Sequence, residues 1–167
     1  MFIVLISSLL IGYTTYYFKR IPLWFRGTVF LLLNLIVGFV ISLYGLNIYE
    51  LSQASTMQWT VFTILLLLVS SSIIAVSFAA QKLLGLFLTL GLITLYVTPL
   101  LALTTPNFSY DDPMSKVYMS IQYGTQSLFA PAAIILLIGL LLLIGVQILI
   151  ERWKSKEIED DSRNESV

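Results

Sequence analysis

From residue 57 to residue 103 the chain carries a single charged side chain, Lys82. Drawn as one helix this run would be about 70 Å long at about 1.5 Å per residue, more than twice a hydrocarbon layer of about 30 Å. It must therefore fold back on itself, and the pair Gln81-Lys82 marks the reversal. A hairpin this apolar has no place in a water-soluble core. The chain as a whole agrees: 58% of its 167 residues are hydrophobic and 11% are charged, against about 25% charged in soluble domains. Its mean hydropathy is +0.93.

Three further apolar stretches complete the pattern, so the spans fall at about 2–18, 27–46, 58–80, 83–103 and 128–150. In lipid each must satisfy its backbone internally, which makes it a helix. The expected fold is all-α, a polytopic transmembrane bundle over residues 1–154 with a disordered cytoplasmic tail at 155–167, where the chain is acidic, polar and without apolar periodicity. The first span reads as a true span rather than a removable signal, because Lys19 and Arg20 follow its apolar stretch instead of preceding it.

With five spans, Lys19, Arg20, Arg26, Lys82, Arg152, Lys154, Lys156 and Arg163 fall on one side and Lys116 alone on the other. Basic loops stay inside, so the N-terminus is expected outside and the C-terminus inside, in a bacterial cytoplasmic membrane. Trp24, Trp59 and Trp153 fall near the expected interfaces, as aromatic belts do.

Composition also excludes chemistry. There is no cysteine and no histidine, which removes thiolate sites, the commonest metal ligand and the usual general base. The formal net charge of zero gives no basic surface for nucleic acid. The spans hold no acid or base, the groups that proton relays and intramembrane enzymes need at depth. Ser70, Ser71 and Ser72 have no base to activate them; such hydroxyls in membrane helices bond their own backbone or a neighbouring helix. No catalytic residue, cofactor or metal is expected, and the chain reads as non-enzymatic.

The spans hold stripes of small and polar residues instead. Gly27, Asn34, Gly38 and Gly45 fall within about 40° of one another at about 100° per residue, and Thr63, Ser70 and Ser77 line the third span in the same way. Ser8, Gly12 and Thr15 do so in the first, and Gln147 is one more polar contact in the fifth. Such faces pack helices closely, within this bundle or against a partner helix or second copy. Outside the spans, Met114, Val117, Tyr118 and Ile121 recur at helical spacing, as in an interfacial amphipathic helix or as scattered apolar residues of a polar loop. The connection KRIPLWFR sets Pro22, Trp24 and Phe25 among Lys19, Arg20 and Arg26. It suits either an anchor in anionic lipid or a docking knob for a cytoplasmic partner.

Over residues 26–150 the order of features resembles the membrane domain of ABC-2-type export permeases. The likeness is greatest to the phage-infection-protein (Pip) group, which is similar to membrane components of type VII secretion. It is carried by the hairpin VFTILLLLVSSSIIAVSFAAQKLLGLFLTLGLITLYVTPLLAL, the outer segment DDPMSKVYMSIQYG and a last span ending in a basic segment. In that family six spans begin and end inside, and the loop between the second and third meets a nucleotide-binding subunit. The present spans would match its second to sixth, placing 19–26 at the contact loop; the family's first span and amphipathic N-terminal segment have no counterpart. The resemblance implies a membrane subunit of an export or secretion assembly, with other membrane subunits or further copies of itself, and a cytoplasmic ATPase, as partners. Two other classes suit a small polytopic chain without catalytic groups: an immunity protein against a membrane-active toxin or bacteriocin, and a holin-like pore former, for which five spans are too many.

Overall fold

A computed structural model of the protein describes residues 2–18, 21–48, 53–104 and 129–164. All of its regular structure is helical: α1 (Phe2–Tyr17), α2 (Leu23–Ile48), α3 (Gln53–Ala80), α4 (Lys82–Thr104) and α5 (Phe129–Asn164). Each overlaps one of the five expected spans. Leu23–Gly45, Thr56–Ala80 and Ala130–Trp153 are long and apolar enough to cross a membrane, and Ile3–Tyr17 and Lys82–Val97 are shorter apolar stretches.

Several ends differ from expectation. α2 begins at Leu23 rather than 27, directly after Pro22. Proline is well suited to a helix start, where its missing N–H has no intrahelical partner to lose, and the ladder opens with Arg26 N–H donating to the Pro22 carbonyl at 3.0 Å. α5 runs on to Asn164, through most of the tail expected to be disordered. No glycine or proline follows Gly145 to stop it, and Glu159 precedes Arg163 by one favourable helical spacing. The hairpin turn is a single residue, Gln81, between α3 and α4.

The bundle is built around α3. Of its most apolar stretch 72% is buried, against 17% in α2 and none in α5. α1, α2, α4 and α5 all pack on α3. The core joins Val4, Leu5 and Ile11 of α1 to Trp59, Phe62, Leu66 and Leu67 of α3 and Tyr96 of α4. Trp59, near the start of α3, packs in this core. Meanwhile Leu31, Leu32, Leu35 and Ile36 of α2 and Ile134, Ile135, Leu141 and Leu142 of α5 are exposed. An apolar surface of that extent around serines, an asparagine and a tyrosine inverts the soluble pattern. It suits a hydrocarbon solvent.

Candidate functional site

The small residues set how closely the helices approach. A Cβ at Gly38 would lie 2.9 Å from Ile64 Cγ1 and 3.2 Å from Ile64 Cα, and one at Gly45 would meet the Trp59 indole at 2.8 Å. Gly12 faces Ile74 and the Ser71 carbonyl, and Gly85 faces the Phe78 ring. α2 therefore runs antiparallel to α3, while α1 runs parallel to it; Tyr16, one turn after Gly12, reaches Phe78. Gly27, expected on the same packing face as Gly38, has no neighbour from another helix within 4 Å of its Cβ position among the described residues. It lies near the start of α2 and is exposed.

Polar contacts follow these close approaches. Asn34 is fully buried; its Nδ2 donates to the Phe30 carbonyl at 2.8 Å and its Oδ1 accepts from Ser71 Oγ at 2.8 Å. Ser42 and Thr60 share a hydrogen bond of 2.6 Å, and Ser70 and Tyr96 share one of 2.7 Å. Ser77 donates to its own helix at the Ile74 carbonyl, and Thr63 is buried in α3. The serine run thus ties α3 to α2 through Ser71 and to α4 through Ser70. In lipid an unmade bond has no water to replace it, so these pairs favour one helix register.

A second cluster lies where α1 ends and α2 begins. Trp24 and Phe25, expected in a loop, stand in the first turn of α2 and remain 87% and 60% exposed. Arg26 is turned inward, with 12% of its side chain exposed, and its Nη2 donates to Glu151 Oε1 of α5. This ion pair was not read from the sequence, although each residue stands one position outside an expected span. It brings the start of α2 level with residue 151 of α5, which the charge count put on one side. Arg26 Nε is buried and has no hydrogen-bond partner among the described residues. Beside it is a groove of about 320 Å³ lined by Thr14, Thr15, Phe18, Phe25, Arg26 and Val29, among others.

Lys19 and Arg20 of the expected docking segment lie outside the described residues, as do Met114, Val117, Tyr118 and Ile121. Among the described residues no three His, Cys, Asp or Glu side chains gather as metal ligands would.

The chain is 44% identical over 164 residues, 98% of its length, to the ESX secretion system protein YueB of Bacillus subtilis (strain 168). The chain spans 15% of that protein's length. No family model matches the chain, and no solved structure matches it.

Proposed function

We propose that this chain is a non-enzymatic, multi-pass membrane subunit of a bacterial secretion assembly. The observation that carries the reading is the identity of 44% to a protein named as an ESX secretion system component, which runs through all five helices. The physical character of the chain supports it. Buried polar groups pair between helices, Ser71 with Asn34 and Ser70 with Tyr96, while α2 and α5 offer apolar faces to neighbours in the membrane. Five crossings, N-terminus outside and C-terminus inside, belong to the proposal and rest on the charge asymmetry. So does the likeness to half of an ABC-2 permease, which rests on the hairpin and the order of features. In that reading the segment 19–26 faces the cytoplasm and meets a partner subunit there, an ATPase in the ABC-2 case.

Trp24 is the side chain to test. An aromatic that is 87% exposed at a helix start is suited to fill a partner's pocket. Removing such an anchor typically costs about 2 kcal/mol or more, over tenfold in affinity. The experiment is affinity purification from native membranes of wild type and Trp24→Ala at matched membrane levels. Secretion-system subunits that accompany wild type and are depleted from the variant are the expected result. Purification of the wild type free of any secretion component would overturn the reading and return weight to a self-contained immunity protein.

A further inference from the structure

We propose that the groove between α1 and α2 holds one acyl chain of an anionic phospholipid, with the lipid phosphate at the first turn of α2 beside Arg26. The inference goes beyond the secretion reading and depends only on the chain lying in a bilayer. The groove is apolar along most of its length. Phe18, Phe25, Val29 and Leu33 line it, and the two threonines that join them direct their hydroxyls to their own helix, Thr14 to the Leu10 carbonyl and Thr15 to the Ile11 carbonyl, both at 2.7 Å. Among the described residues Arg26 is the one charged side chain that lines it. Its volume of about 320 Å³ stands at the lower end of the range for ligand pockets, about 300–1,000 Å³, and suits a single chain rather than a bulky ligand. A groove apolar along most of its length with a cation at its head calls for an amphipathic anion.

The charges at this end favour the anion. Glu151 engages one terminal nitrogen of Arg26, leaving a guanidinium with further donors in its fork, including the buried Nε without a partner among the described residues. A half-satisfied buried guanidinium is costly, and phosphate or ester oxygens are acceptors of the needed kind. Lys82 at the start of α4 and Arg152 and Lys156 on α5 are exposed, and the acids Glu157, Glu159, Asp160 and Asp161 come six or more positions after Glu151 in the sequence. The start of α2 adds the positive end of its helix dipole.

The test is native mass spectrometry of the whole chain, purified, delipidated and titrated with phosphatidylglycerol or phosphatidylcholine of matched acyl chains. One retained phosphatidylglycerol is expected, bound about fivefold more tightly than phosphatidylcholine, which corresponds to about 1 kcal/mol at about 1.4 kcal/mol per decade. Val29→Trp fills the groove and leaves every charge in place, so it should lose at least tenfold in phosphatidylglycerol affinity. Val40→Trp, on an exposed part of the same helix away from the groove, should lose none. Leu33→Trp serves where Val29→Trp fails to fold, judged by monodispersity in detergent. Glycerophosphoglycerol, the headgroup without chains, should not displace the bound lipid. Equal retention of the two lipids overturns the anionic assignment, and undiminished binding by the groove-filling variants overturns the site.

Discussion

Replacing Gly38 with leucine probes the contact on which the α2–α3 pairing turns. A Cβ alone would already stand 2.9 Å from Ile64 Cγ1 and 3.2 Å from Ile64 Cα. The first distance could be eased by a rotamer change of Ile64. The second involves backbone, so the two helices must part by several tenths of an ångström. Parting them lengthens the hydrogen bonds on either side, Ser71 to Asn34 and Ser42 to Thr60. Overpacking of this kind costs about 1–3 kcal/mol, and involvement of backbone places Gly38→Leu at about 2–3 kcal/mol. At about 2–4 °C per kcal/mol for a chain of this size, the apparent Tm in detergent should fall by about 4–12 °C. Leu35→Ile is the control, because Leu35 is exposed on the same helix and its exchange conserves volume at a cost below about 1.5 kcal/mol. Gly38→Ala should fall between the two. Adding Ile64→Ala should recover part of its loss, since the nearest clashing atom is then gone. If Gly38→Leu and Leu35→Ile unfold at the same temperature, the glycine is not holding the helices together and the packing argument fails.

The bond between Ser70 and Tyr96 should be worth about 0.6 kcal/mol and at most about 1.7 kcal/mol, the range found for interhelical hydrogen bonds in membranes. A double-mutant cycle of Ser70→Ala and Tyr96→Phe measures it, and strictly additive losses would show the pair contributes nothing jointly. For topology, cysteines introduced at Ser52 and Ser109 should react with an impermeant thiol reagent in intact cells and one at Ser155 should not; labelling of Ser155 from outside would refute the orientation.

Much of this protein is decided by composition along the chain. Helices are forced wherever the apolar run reaches bilayer length, because hydrocarbon leaves the backbone no other way to pair its N–H and C=O groups. The reversal at Gln81 follows because a continuous helix over 57–103 would outrun the membrane. The small-residue stripe of α2 was also legible, since the helical period alone puts Asn34, Gly38 and Gly45 on one face. Which helix that face would meet was not. Periodicity fixes an azimuth and says nothing of neighbours, so only the assembled bundle shows α3 as the buried centre, Asn34 bonded to Ser71, and Gly27 without a neighbour among the described residues. The pairing of Arg26 with Glu151 likewise needed the third dimension, because the residues stand far apart in sequence and meet only when α2 and α5 are brought to the same level. Trp59 makes the same point. Composition suggests a depth for this amphipathic ring, and only the bundle shows that it packs in the core where Gly45 leaves room for it.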